Sequence, residues 1–313
     1  NLSNGGDMDV ASAAATLALN LTNVSGTVDV KANTTTINAT VNGDATTTAT
    51  IASASATTLK VSGAGNVDGT TATGGLAAAT SINTADLTGT ATFTLAKGIT
   101  TTYTGGAGVD SVTVTDAVSI TKAINLGDGN DTLTLGGTLA STVVAAGITA
   151  TIDGGAGTAD TISLSTLAAA DDALSLDNAF SGKVTGFERL LINDSAVSKA
   201  VNLEKLGFTN YVTTSGSTGT LTLNNLANNG TVVMTAATTG TTVTIKDATT
   251  GEADVLNVEI TNDTITAFGT LTAHKIETVN LTATDVFTDV TVKDGKDDNN
   301  SAQTMTFTSD TTT

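Results

Sequence analysis

The chain has 313 residues, no Cys, no Pro and no Trp, and its net charge is −18. Charged residues make up 13% of the chain and hydrophobic residues 39%, a composition too apolar for a disordered chain. Aromatic residues make up only 3%, too few to build a core of large rings. This composition argues against nucleic acid as a partner, which needs Lys and Arg, and excludes disulfides and thiolate metal sites. The sequence contains no run of about 18 apolar residues, so it predicts no transmembrane helix.

Residues 1–102 predict short strands separated by turns. Apolar and polar residues alternate in 17–21, 28–30 and 37–41, and Gly, Asn and Asp stand between these segments. Thr, Val, Ile, Leu and Ala suit stacked strands with small side chains, and a thin core of this kind favours a solenoid in which each coil buries its face on the next. We therefore predict an all-β fold, an irregular right-handed parallel β-solenoid or β-roll with one or two short helices.

Within this region the stretch 63–68 reads Gly-Ala-Gly-Asn-Val-Asp, a glycine and aspartate spacing that recurs at 155–160. Asp68 is therefore a candidate metal ligand. An ordinary turn is the alternative interpretation.

Three loops of similar type follow at 105–110, 127–131 and 153–160. Each is a glycine turn that ends in a carboxylate and continues into an alternating strand, the pattern G-G-x-G-x-D-x-U-x of Ca²⁺-binding β-rolls. The first loop matches in full, the second has Leu126 in place of the leading glycine, and the third has one extra residue before Asp160. Gly106 and Gly127 are 21 residues apart, which suits one coil of two strands and two turns.

The chemistry of these loops predicts bound Ca²⁺. Ca²⁺ takes six to eight oxygen ligands, carbonyls as well as carboxylates, and glycine lets the backbone turn its carbonyls inward. We expect the ion to lie between two turns and staple successive coils, although tight turns with solvated Asp side chains would give the same pattern. The candidate ligands are Gly105, Gly106, Ala107, Gly108, Asp110, Gly127, Asp128, Gly129, Asp131, Asp153, Gly155, Gly157 and Asp160.

The second half of the chain predicts further strands and one helix. The helix candidate is 165–173, which Ser165 or Thr166 would cap. Buried strands are expected at 187–192 and 276–281, where Glu188 and Glu277 are ligands, coil caps or solvated edge residues. Other predicted strands contain residues 221–223, 232–234 and 243–245.

Two acidic stretches lie in this half. Asp247, Glu252 and Asp254 surround Gly251 and form a plausible second metal region. The run 294–300 is polar and acidic but lacks the EF-hand spacing, so we expect a surface loop there.

The runs 103–110, 126–133 and 186–190 resemble RTX-type bacterial surface-layer proteins, such as the surface arrays of Caulobacter and Campylobacter, and 253–258 and 276–285 are similar too. The resemblance implies a protein that is secreted by a one-step (type I) transporter, binds many Ca²⁺ ions, and self-assembles into a two-dimensional lattice on the cell surface. It also implies contact with surface polysaccharide of the outer membrane through another part of the protein.

On this interpretation the chain is a fragment with three regions, 1–102, 103–200 with the Ca²⁺ loops, and 201–313, or one continuous elongated fold. Enzymatic activity is not expected, because His274 is the sole His and neither G-x-S-x-G nor H-E-x-x-H occurs. Two alternatives to a surface-layer subunit remain open. One is the folding and export module of a secreted RTX adhesin or enzyme, and the weaker one is a carbohydrate-acting β-helix.

Overall fold

A computed structural model of the chain describes residues 1–3, 5–44, 46–69, 75–95, 101–115, 120–136, 148–164, 180–193, 198–248, 253–261, 267–283, 289–295 and 304–309. The fold is a parallel β-solenoid with almost no helix, which confirms the predicted all-β class. The chain divides into two compact units. The first comprises Asn1–Gly137, Ala146–Ile162 and Lys183–Phe187, and the second comprises Thr138–Ala145, Ser163–Gly182 and Glu188–Thr313.

The first unit winds alternately through two sheets of parallel strands. The first face is a nine-stranded sheet of β1 (Leu2–Ser3), β3 (Thr16–Thr22), β5 (Thr36–Asn42), β7 (Thr58–Gly63), β9 (Ser81–Leu87), β11 (Thr102–Thr104), β13 (Ile124–Asn125), β15 (Ile152–Asp153) and β17 (Val184–Thr185). The second face contains β2 (Met8–Val10), β4 (Thr27–Val30), β6 (Thr48–Ala52), β8 (Asn66–Asp68), β10 (Ala91–Leu95), β12 (Asp110–Val114), β14 (Thr132–Leu135) and β16 (Thr161–Leu164).

Alternation along each strand builds the core of this unit. In β12 the residues Val112 and Val114 are fully buried, and the threonine between them is partly exposed. Parallel pairing in register then stacks equivalent residues, so Phe93, Val112 and Leu133 form one apolar column. Since each coil supplies only a few small side chains, burial depends on the coils above and below.

The second unit repeats this arrangement with longer strands. One face contains β18 (Arg189–Ile192), β20 (Tyr211–Thr214), β22 (Thr231–Met234), β24 (Val255–Ile260), β26 (Thr278–Ala283) and β28 (Thr304–Ser309). The other is a five-stranded sheet of β19 (Lys199–Asn202), β21 (Ser217–Leu226), β23 (Thr238–Ile245), β25 (Ala267–His274) and β27 (Asp289–Gly295).

Among the described residues of the second unit, one short helix, α1 (Leu203–Leu206), interrupts the strands. Asn202 caps it by accepting a hydrogen bond from the Lys205 N–H at 3.1 Å, and Gly207 ends it with φ of 90°. The predicted helix at 165–173 lies outside the described residues. The surface loop expected at 294–300 is corrected at its start, because Asp294 and Gly295 are the last residues of β27.

Candidate metal site: the aspartate ladder

Three of the predicted carboxylates lie in one column on the second face of the first unit. Strand pairing aligns Ala49 with Val67, Val67 with Ala91, and Ala91 with Asp110. One coil further on, Ser111 pairs with Thr132, which places Asp131 beside Asp110. Asp160 precedes β16 and continues the column, which therefore changes from apolar residues to carboxylates. We call Asp110, Asp131 and Asp160 the aspartate ladder.

Hydrogen bonds connect the rungs of the ladder. The backbone N–H of Asp110 donates to Asp131 Oδ1 at 2.8 Å, and the N–H of Asp131 donates to Asp160 Oδ1 at 2.7 Å. Gly106 N–H donates to Asp110 Oδ2 at 3.2 Å. The carboxylates of Asp131 and Asp160 thus each hold the coil before them, whereas that of Asp110 closes its own loop. The extra residue in the third loop does not remove Asp160 from the column.

The ladder is buried and carries charge that the described residues do not balance. The three aspartates are 0–1% exposed. Asp110 Oδ1 and Asp131 Oδ2 accept no hydrogen bond in the part of the chain that the structure describes, and neither residue has a cationic partner there. A buried charge of this kind is costly unless it is protonated, paired or bound to a metal.

The pKa values follow from this burial. Burial raises the pKa of Asp110 to about 7, the Gly106 N–H opposes that shift, and the neighbouring charge of Asp131 adds to it. Burial also raises the pKa of Asp131 to about 7, against the hydrogen bond from Asp110 N–H, with the charge of Asp160 adding to the rise. Both carboxyls therefore change charge near neutral pH in the absence of a counter-ion.

A buried hydroxyl cluster lies at the first rung. Tyr103 from β11 is fully buried, and its hydroxyl lies 3.3 Å from Thr84 Oγ1. Burial raises the pKa of Tyr103 well above its usual value, and the charge of Asp110 raises it further. The phenol is therefore a neutral polar group next to the ladder. Nothing in the glycine pattern indicates Tyr103 or Thr84, because they come from the opposite face of the coil.

Glycines bring the backbone of successive turns into contact. A Cβ on Gly105 would overlap the carbonyl oxygen of Leu126, and a Cβ on Gly155, where φ is 98°, would overlap that of Gly127. A second glycine column begins at Gly65 and runs through the other turns. Four of its members lie against the carbonyl of the glycine one coil earlier: Gly89, Gly108, Gly129 and Gly157. Only glycine allows this approach, so carbonyl oxygens crowd the edge at which the ladder begins.

The other predicted ligands of the glycine loops lie outside the ladder. Asp128 is exposed, and its N–H donates to Gly106 O at 2.7 Å. Asp153 belongs to β15 on the first face, where its Oδ1 accepts the Gly155 N–H at 3.2 Å. Ala107 N–H donates to Leu87 O. Asp68 follows Val67 in β8, so strand alternation turns its side chain away from the column.

The second predicted metal region is only partly described. Asp247 lies in the turn after β23 with φ of 60°, and Asp254 directly precedes β24. Glu252 lies outside the described residues. Across the described part of the chain, no group of three or more His, Cys, Asp or Glu side chains converges on one point. The ladder is therefore a column in which each gap between coils meets two carboxylates and backbone oxygens.

The donor set fits a hard cation. Carboxylate and carbonyl oxygens without His or Cys suit Ca²⁺, Mg²⁺ or Mn²⁺ and not the softer metals. No protein-family model matches the chain, and a comparison with curated proteins finds no significant match. None of the helices in the described ranges combines the length and apolar character needed to cross a membrane.

Proposed function

We propose that the chain is a lattice-forming part of a Ca²⁺-dependent bacterial surface layer, in which cations at the aspartate ladder fix successive coils of the solenoid. The observation that carries this proposal is the pair of buried carboxylate oxygens, Asp110 Oδ1 and Asp131 Oδ2, that have no hydrogen-bond donor in the described residues. A folded chain that stacks such groups needs protons or cations to remain stable at neutral pH.

The side chains of Asp110, Asp131 and Asp160 would hold the ions, and the crowded glycine carbonyls would complete the ligand set. Bound Ca²⁺ supplies the positive charge that the column lacks. The residues themselves set the register: the carboxylates of Asp131 and Asp160 each accept the N–H of the preceding rung, and the glycines admit the next turn. Ordering of the coils would then depend on the Ca²⁺ concentration.

This dependence suits a protein that folds outside the cell. Extracellular sites of this class bind Ca²⁺ with Kd of about 10⁻⁴ to 10⁻³ M, far above the free Ca²⁺ of the cytoplasm. A chain with unoccupied sites would stay unfolded until export, as the one-step secretion implied by the sequence resemblance requires.

Charge balance supports assembly between subunits. The chain has 30 Asp and Glu residues and 12 Lys and Arg residues, so copies of it repel one another at low ionic strength. Divalent ions that neutralise exposed carboxylates, such as that of Asp128, would reduce this repulsion and bridge neighbouring copies. A solenoid made of repeated coils presents the same chemistry at regular intervals, which favours a lattice over a single site of contact.

The test combines calorimetry with electron microscopy of the purified chain. We expect Ca²⁺ binding in the millimolar range or tighter, a loss of at least tenfold in affinity in Asp110→Asn/Asp131→Asn, and ordered sheets in Ca²⁺ that dissolve in EGTA. The matched control is Asp68→Asn, which changes a carboxylate outside the ladder.

Three outcomes decide between the functions. Unchanged isotherms in the double variant would remove the ladder as the site. Ca²⁺ binding by a monodisperse monomer would favour the alternative, a folding and export module of a secreted RTX protein. Release of sugar from a polysaccharide panel would favour the carbohydrate-acting β-helix.

A further inference from the structure

The second unit contains a buried carboxylate outside the three glycine loops of the aspartate ladder. Asp254 directly precedes β24, and Glu277 directly precedes β26, the next strand of the same sheet. Val255 pairs with Thr278, so the two acids occupy equivalent positions in successive coils. Asp254 is 4% exposed, and its Oδ2 accepts no hydrogen bond in the described ranges.

The local hydrogen bonds repeat those of the aspartate ladder. Asp254 N–H donates to Glu277 Oε2 at 2.8 Å, as Asp110 N–H donates to Asp131 Oδ1 at the same distance. In both places a carboxylate accepts the N–H of the acidic residue one coil earlier. In both places the residue that donates this N–H has a buried side-chain oxygen left over.

The described groups around Asp254 do not neutralise it. Asn228, from the preceding coil, uses its Oδ1 to accept the Val255 N–H at 2.8 Å and directs its Nδ2 toward Ala253 O at 3.4 Å. No ion pair of Asp254 or Glu277 occurs among the described residues. Burial raises the pKa of Asp254, and the charge of Glu277 raises it further.

We propose that Asp254 and Glu277 bind a hard divalent cation of the Ca²⁺ type between two coils of the second unit. The two carboxylates face the same gap between coils and repel each other. A neutral hydrogen-bond donor would satisfy one lone pair and leave this repulsion, whereas a divalent cation would remove it. The absence of His and Cys from the set excludes a preference for softer metals.

This site differs from the acidic cluster that sequence proximity indicates. Asp247 and Glu252 lie within seven residues of Asp254 in sequence, but the partner that the structure places beside Asp254 is 23 residues away. Only coil-to-coil register brings Glu277 there.

The experiment measures Ca²⁺ binding by calorimetry in a chain whose ladder is removed by Asp110→Asn, Asp131→Asn and Asp160→Asn. We expect one remaining class of Ca²⁺ site. Asp254→Asn should abolish it, and Glu277→Gln should lower its affinity at least tenfold. Asp247→Asn is the matched control and should leave the remaining isotherm unchanged.

The outcomes separate this inference from the proposed function. A ladder-free chain that binds no Ca²⁺, while the parent chain does, overturns the Asp254 site and leaves the ladder intact. Binding that persists at full strength in Asp254→Asn also overturns it. If Asp254→Asn does not fold by circular dichroism, Glu277→Gln decides: a tenfold loss supports the site, and an unchanged affinity refutes it.

Discussion

Two stretches of the same column differ in the type of residue that fills them. In the earlier coils the column holds Ala49, Val67 and Ala91, and in the later coils it holds the three aspartates of the ladder. The glycine contacts at the adjoining turns run through both stretches, from Gly65 to Gly157. The glycines are therefore a requirement of close coil packing in both stretches, whereas the carboxylates add hydrogen bonds between coils and a charge that the earlier coils lack. Within one repeat, the glycines therefore serve packing and the carboxylates are the groups available for metal binding.

The largest expected effect concerns the glycines. Gly89→Ala, outside the ladder, and Gly108→Ala, within it, should both destabilise the chain by at least about 2 kcal/mol, since each new Cβ would overlap a backbone carbonyl of the preceding coil. Urea unfolding followed by circular dichroism in saturating Ca²⁺ measures this.

Gly6→Ala is the control for both variants. A Cβ at Gly6 meets nothing within 4 Å, so the unfolding free energy should change by less than about 0.5 kcal/mol. A large cost at Gly108 with none at Gly89 would mean that the glycine serves the metal and not the packing.

The next effect concerns the charge itself. Asp131→Asn keeps an acceptor for the Asp110 N–H and removes the middle one of three adjacent buried charges. In EGTA at pH 8 we expect the variant to be roughly 1–3 kcal/mol more stable than the parent chain, and to lose most of the stabilisation that Ca²⁺ gives the parent. An alanine would be a poorer test because it would leave the Asp110 N–H without an acceptor.

Thermal unfolding with and without Ca²⁺ measures both quantities. Asp128→Asn is the matched control, since Asp128 belongs to the same loop but is exposed, and it should change neither quantity appreciably. Lower stability of Asp131→Asn in EGTA would show that the column tolerates its charge without a cation.

The sequence predicts the architecture well because period-two alternation and small β-branched residues leave few other folds. The spacing of Gly106 and Gly127 also predicts the coil length, and strand pairing aligns Asp110 with Asp131 at that spacing. Both inferences rest on local pattern, which parallel stacking then repeats.

The sequence does not show which loop turns its carboxylate inward. Asp68 has the glycine spacing, but strand register puts Val67 in the column, and a shift of one residue changes the face on which a side chain lies. Asp128 and Asp153 are likewise part of the motif and lie outside the ladder. The pairing of Asp254 with Glu277 and the position of Tyr103 beside Asp110 depend on contacts between coils and faces, which no local pattern encodes.

The pH dependence of the metal-free chain should also distinguish the two stretches. The folded-state pKa of Asp110 and Asp131 is raised to about 7 from 3.8, so the unfolded chain releases these protons first. The contribution of the protonated ladder to the free energy of unfolding is fully present below about pH 4 and is lost as the pH rises through about 7. In EGTA the melting temperature should therefore fall from pH 5 to pH 8.

Calcium should reverse this trend, since the ionised ladder binds the cation and the protonated one does not. The stabilisation by Ca²⁺ should be small at pH 5 and large at pH 8. Asp110→Asn/Asp131→Asn should flatten both profiles. A metal-free profile that keeps its slope in the double variant would assign it to other groups.

The smallest expected effect on stability is at Tyr103, which nevertheless gives the sharpest local readout. The chain has two Tyr and no Trp, so with excitation at wavelengths that tyrosine absorbs and phenylalanine does not, only a tyrosine can sensitise the luminescence of Tb³⁺ bound in place of Ca²⁺. Tyr103 lies beside Asp110, whereas Tyr211 belongs to the second unit, under the Arg189 guanidinium at 4.6 Å.

With Asp254→Asn present to silence the second site, Tyr103→Phe should abolish the Tb³⁺ emission. It should lower the free energy of unfolding by less than about 1 kcal/mol, because one hydroxyl is lost from a shared polar cluster. Tyr211→Phe should retain the emission, and a loss there instead would place the bound ion away from the ladder.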